Sequence, residues 1–190
     1  MALINQTPPA KTRRAFKKGL AEMIELGRAP TDLPRGDYPQ QIYALGLDDI
    51  VVRKNLEDVK PVAWEFLMGR ATGPAIAVAV RHPHTGQEPK VTSLMRGPLI
   101  AQAIQATHMV QKLRQVQHRN YELRRLRIPA LSIGAFWLKS LDGGDDFVVP
   151  YQTVADELEP RTAYPMDEFL TIIRPMARKL EADKSLRPPR

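Results

Sequence analysis

Between Gly97 and Leu138 the spacing of apolar residues changes its period once. From Leu99 through Ala103, Ala106, Val110 and Leu113 they recur at steps of three and four, with Gln102, Gln105, Gln111, Lys112, Arg114 and Gln115 on the other side. That pattern predicts a helix with one buried face. Gly97 breaks the chain and Pro98 suits a first helical turn, so the helix begins there. Beyond Asn120 the period becomes two. Leu131, Ile133, Ala135 and Trp137 fall on one side, and Ala130, Ser132, Gly134, Phe136 and Leu138 on the other. Both sides are mostly apolar, as in a strand at the centre of a sheet. A long helix lying on this strand by its alanine-rich face is the expected core.

The flanking pattern supplies the remaining elements. Phe16, Leu20, Met23 and Ile24 make the stripe of an N-terminal helix that ends near Gly27. Pro30, Pro34, Gly36 and Pro39 mark a loop. Short strands are expected at Ile42–Leu45 and Ile50–Arg53 around the turn of Asp48 and Asp49. Val62, Trp64, Phe66 and Met68 alternate with Ala63, Glu65 and Leu67 as a strand, with a helix from Pro61 as the competing reading. Ala75–Val80 and Lys90–Arg96, joined by a polar loop, read as an antiparallel hairpin. Tyr121–Ile128 leads into the central strand with a bulge or bend near Pro129. Asp142–Asp145 is a hairpin turn, Phe147–Val149 its returning strand, and Val154–Thr162 a loop. The last helix runs from Met166 to about Ala182, with a kink at Pro175.

The fold class expected from these elements is α+β: an antiparallel sheet of about five strands packed by a long central helix, with N- and C-terminal helices. Residues 1–10 form a flexible arm, 11–182 a single domain with a loop or linker at 30–41, and 183–190 a flexible basic tail. The element order is similar to that of type III secretion chaperones and of the roadblock and profilin-like folds, all of which bind other proteins. That likeness covers element order alone.

Composition narrows the role more than it defines it. There is no cysteine, which removes disulfides, thiolate nucleophiles and thiolate metal sites. No run of apolar residues reaches the roughly 20 that a spanning helix needs, so membrane insertion is not expected and a cytoplasmic location is. The net charge is +7, but its sign alternates along the chain. Pro98–Lys139 holds seven Lys and Arg against one Glu, whereas Ser140–Pro165 holds six Asp and Glu against one Arg. Such patterning suits internal pairing or an oppositely charged partner.

No phosphate loop, dinucleotide fingerprint, zinc-protease motif or nucleophile elbow is present, and no cofactor or metal is expected. His82 and His84 on the hairpin loop, with Glu88, are the most enzyme-like group, though a proline between two solvated histidines is ordinary turn chemistry. His108 and His118 belong to the central helix and its basic end, and the clusters Asp48–Asp49 and Asp142, Asp145 and Asp146 sit at turns. The main candidate surface is Lys112, Arg114, Arg119, Tyr121, Arg124, Arg125 and Arg127. As one patch it would hold phosphates, with Tyr121 stacking on a base. As ion-pairing arginines it would meet the acidic segment of this chain or of a second copy, the preferred reading. Arg13, Arg14, Lys17 and Lys18 crowd the start of the first helix, where cations oppose the helix dipole, and form a second basic patch. Together these features favour a non-enzymatic interaction or assembly protein that binds a protein partner, or a further copy of itself, through a basic patch or a sheet edge. A nucleic-acid-binding protein using Lys112–Arg127 is the alternative, and an enzyme using the His82/His84 loop comes after it. Trp64, Phe136 and Trp137 read as core.

Overall fold

The computed structural model describes residues 3–32, 38–53, 56–70, 74–82 and 87–185. In chain order the elements are β1 (Leu3–Ile4), α1 (Ala10–Glu25), β2 (Tyr38–Ala44), α2 (Leu47–Val52), β3 (Pro61–Gly69), β4 (Ala75–Arg81) and β5 (Lys90–Arg96). There follow α3 (Pro98–Val110), α4 (Arg114–His118), β6 (Tyr121–Ile128), β7 (Ile133–Ser140), β8 (Phe147–Gln152), β9 (Tyr164–Pro165) and α5 (Met166–Ser185), with a 3-10 turn at Pro129–Leu131.

These elements correct the expected fold class. The sheet is mixed and has nine strands among the described residues, eight of them in the order β5-β4-β3-β2-β6-β7-β8-β9, with β1 beside β6. It is neither five-stranded nor wholly antiparallel. Two antiparallel runs, β2 to β5 and β6 to β9, are joined where Gln41–Ala44 pair in parallel with Arg124–Arg127. Leu3 and Ile4 extend that seam against Tyr121 and Glu122, so part of the expected arm is a strand. Tyr38–Gln41, expected in the 30–41 loop, begin β2 despite Pro39. The proline is tolerated because β2 pairs with β6 only from Gln41 onward, and its missing N–H interrupts no bond on that side.

The long helix is also shorter than expected: α3 stops at Val110, and the chain turns at Gln111–Leu113 before α4. Residues Ile50–Val52, expected in a strand, are helical in α2. There the Asp49 carboxylate accepts from the Gly46 N–H at 3.1 Å and from Arg53 Nε at 2.8 Å, closing both ends of the single turn and a half. The Arg53 guanidinium and the Gly46 amide hold the Asp49 carboxyl below its ordinary value. Instead of a bulge before Pro129, β6 pairs with β7 in unbroken register from Tyr121↔Ser140 to Ile128↔Ile133, and the 3-10 turn makes the bend. The strand β8 continues through Pro150 to Gln152.

Residues of β5 and of β8 line a single cleft of about 500 Å³. In a flat sheet these strands would stand roughly 29 Å apart, six positions at about 4.8 Å each. The sheet is therefore curled, and α3 sits in its hollow, touching β4 and β5 on one side and β8 on the other. Register shifts at Ile42/Tyr43, Ala79/Val80 and Gly134/Ala135 supply bends. The inner core joins Ile100, Ala103, Ile104 and Thr107 of α3 to Leu67, Leu123, Phe136 and Val149 of the sheet. On the outer surface, α1 covers Phe66, Val78 and Val80, and α2 and α5 cover Leu126, Trp137 and Val148. Phe16 stacks flat on Phe66, with centroids 4.0 Å apart. Among the described residues no helix is long and apolar enough to cross a membrane.

Candidate functional site

Strand alternation sends Leu123, Arg125 and Arg127 of β6 into the hollow of the sheet and Glu122, Arg124 and Leu126 to its outer face. On β3 the same alternation brings Glu65 inward between Ala63 and Leu67. A charge in the middle of a strand buried on both faces has to be paired. Glu65, fully buried, accepts from Arg125 Nη1 on one carboxylate oxygen and from Arg127 Nη2 on the other. Arg125 is 3% exposed, and its Nε donates to the Tyr151 hydroxyl at 2.8 Å. Burial lowers the affinity of the Arg125 guanidinium for its proton; the Tyr151 hydroxyl acts against this shift and the charge of Arg127 reinforces it. A guanidinium in a protein keeps its proton all the same. Arg127, with 29% of its side chain exposed, faces the more open end of the group.

This group is the floor of the cleft. Arg125 and Arg127 line it from β6, Met95 and Arg96 from β5, Leu99 and Ile100 from the start of α3, and Ile133, Gly134 and Tyr151 from β7 and β8. Gly134 matters here because a Cβ at this position would come within 2.8 Å of the Tyr151 hydroxyl, displacing the ring that supports Arg125. Ser132, also on the rim, has φ of 54° and turns the chain out of the 3-10 turn into β7. Three guanidiniums thus stand against one carboxylate in and beneath a partly apolar hollow. Behind the floor, Gln40 lies opposite Glu65 in the β2–β3 register and donates to Thr107 Oγ1 of α3 at 3.3 Å, tying the helix to the sheet.

The seven residues of the expected central patch are divided among different surroundings. Arg125 and Arg127 are together in the hollow. Arg124 is on the outer face, paired with Glu122 and stacked over Trp137 and Tyr43 at 4.6 and 4.9 Å from the ring centroids. Tyr121 is buried beneath α4, edge-on to Phe147, so its ring offers no platform to a base. Arg119 lies across the acidic hairpin turn, close enough to Gly144 that a Cβ there would overlap its guanidinium. Lys112 is exposed on the turn between α3 and α4, and Arg114 is exposed at the start of α4. In the second patch, Arg14, Lys17 and Lys18 are exposed on α1, Arg13 is half-buried, and the helix covers the opposite side of the sheet from the cleft.

The acidic turn is structural. Asp142 accepts from the backbone N–H of Asn120, while Asp146 accepts from Trp137 Nε1 and from the Ser140 N–H, each bond 2.9 Å long. His82 closes β4 against Trp64, with ring centroids 6.3 Å apart, and Glu88 pairs with Lys11. His84 lies outside the described residues. Among the described residues, no three histidine or carboxylate side chains stand close enough together to hold a metal ion.

Burial lowers the affinity of the His82 imidazole for a proton. The unfolded chain therefore takes up this proton at a higher pH than the folded chain, and the stability contributed by His82 is complete above the ordinary histidine value and declines as pH falls through it. In urea unfolding at pH 7.5 and 5.5, the His82→Gln variant is expected to lose less stability on acidification than the parent; equal losses would show that His82 is not the group responsible.

Glu65, Tyr151, Gly134 and Arg96 are absent from the sequence-derived site. The available signal was Glu65 itself, the lone charge in the apolar run Val62–Met68, which called for a basic partner on a neighbouring strand. Compared with known proteins, this chain matches no protein-family model, no curated protein and no solved structure.

Proposed function

We propose that this chain is a non-enzymatic binding domain, and that the cleft in its curled sheet receives an anionic group of the ligand. The observation that carries this reading is the shared salt bridge of the floor: Glu65 neutralises only one of the two guanidiniums it joins, so the hollow keeps an unbalanced positive charge where water is partly excluded. There a charge-assisted hydrogen bond is stronger than at an open surface. The floor also suits holding better than reacting, because guanidiniums do not exchange protons near neutral pH and the Glu65 carboxylate is engaged on both oxygens. The interaction role read from the sequence is thereby moved from the dispersed basic run to two of its members, Arg125 and Arg127.

The test is thermal unfolding with millimolar anions. Acetate, octanoate or inorganic phosphate is expected to raise the midpoint of the parent chain. In the Arg127→Gln variant the concentration needed for the same shift should rise at least tenfold. If no anion distinguishes the two proteins, the cleft is not an anion site.

A further inference from the structure

We infer that the ligand of this cleft is an apolar monocarboxylate: one carboxylate carried on a hydrocarbon or aromatic body. The inference rests on the anion reading above and adds the chemical class. Its first ground is charge. In the floor, Arg125 and Arg127 face Glu65 alone, a surplus of one positive charge. A single carboxylate cancels it, whereas a phosphate dianion would leave net negative charge in a partly desolvated hollow, which is costly. Arg96 does not alter this balance, because it is exposed at the rim and screened by water. The second ground is shape: a planar guanidinium meets a carboxylate through two parallel hydrogen bonds.

The third ground is the walls. Met95, Leu99 and Ile100 stand on one side, with the Tyr151 ring on the other. Apart from the arginines, the polar side chains of the lining are Ser132, Gln152 and the Tyr151 hydroxyl, which already accepts from Arg125. A sugar or nucleoside would leave most of its hydroxyls unpaired against such walls, whereas an alkyl chain or a ring would bury apolar area. The volume of about 500 Å³ lies within the roughly 300–1,000 Å³ of small-molecule pockets.

The experiment is calorimetric titration of the full chain with octanoate, acetate and inorganic phosphate, repeated on Arg127→Gln and Leu99→Ser. Leu99 is exposed at the lip of the cleft, so its replacement leaves the folded core intact. Octanoate is expected to bind at least tenfold more tightly than acetate or phosphate. Arg127→Gln should weaken octanoate at least tenfold, and Leu99→Ser should weaken octanoate while leaving acetate unchanged. Phosphate binding as tightly as octanoate, with loss in Arg127→Gln, would overturn the monocarboxylate and leave the anion reading standing. Octanoate binding that ignores Arg127→Gln would overturn the inference, and failure of all three anions to bind would overturn both readings.

Discussion

Replacing Glu65 with alanine is expected to lower the free energy of unfolding by about 3–5 kcal/mol, measured by urea denaturation at neutral pH. The reason is the asymmetry between an ion pair and half of one. Arg125 is 3% exposed, and with the Glu65 carboxylate gone it has no other carboxylate partner among the described residues; the Tyr151 hydroxyl satisfies one hydrogen bond and none of the charge. Arg127 suffers less, since 29% of its side chain already reaches solvent. The double variant Glu65→Ala/Arg125→Leu should therefore recover part of the loss, because it removes the stranded charge along with its partner. For a domain with an ordinary stability of about 5–15 kcal/mol, the single change would consume a large share. A loss below about 1 kcal/mol for Glu65→Ala would mean that the guanidiniums find water in its absence, and that the floor is wetter than its burial indicates.

The second large effect is expected at Trp137. Its side chain is fully buried between β7 and the α2–α5 layer, edge-on to Tyr43 with centroids 5.1 Å apart and beneath the Arg124 guanidinium. Trp137→Ala should cost about 3–5 kcal/mol through lost burial and the cavity left behind. Trp137→Phe should cost less than half of that: it keeps most of the ring area and gives up the Nε1–H bond to Asp146, a carboxylate still held by the Ser140 N–H. Parallel urea titrations of the two variants check this ordering, and equal losses would show that the hydrogen bond, rather than packing, dominates at this position.

What could be read in the sequence follows the range over which the signal acts. The two-sided apolar run at Ile133–Leu138, the Asp142–Asp145 turn and the start of α5 at Met166 are encoded by neighbouring residues, and the structure has a strand, a turn and a helix at these places. Six residues of α2 are too few for helical and extended periodicities to differ, and what decides between them is the Asp49 side chain closing on Gly46 and Arg53. Pro39 hid β2 because the tolerance for a proline depends on where the pairing with β6 begins, and this is not a local property. The site was harder still. Glu65 and Arg125 are 60 positions apart, and whether they meet depends on which strand lies next to which. Reading Lys112 to Arg127 as one basic run treated adjacent residues as neighbours in space, yet a strand sends Arg124 and Arg125 to opposite faces.

The parallel joint between β2 and β6 has a consequence for how the chain assembles. Each of the two antiparallel runs can zip up through connections to the next strand, so most of the pairing carries a modest entropic penalty. The joint is different, because Gln41–Ala44 must find Arg124–Arg127 across everything encoded between them, and only then do Glu65 and the two arginines come within reach. Topological difficulty is thus concentrated in one short line of contacts, and the cationic hollow exists only once that line has closed.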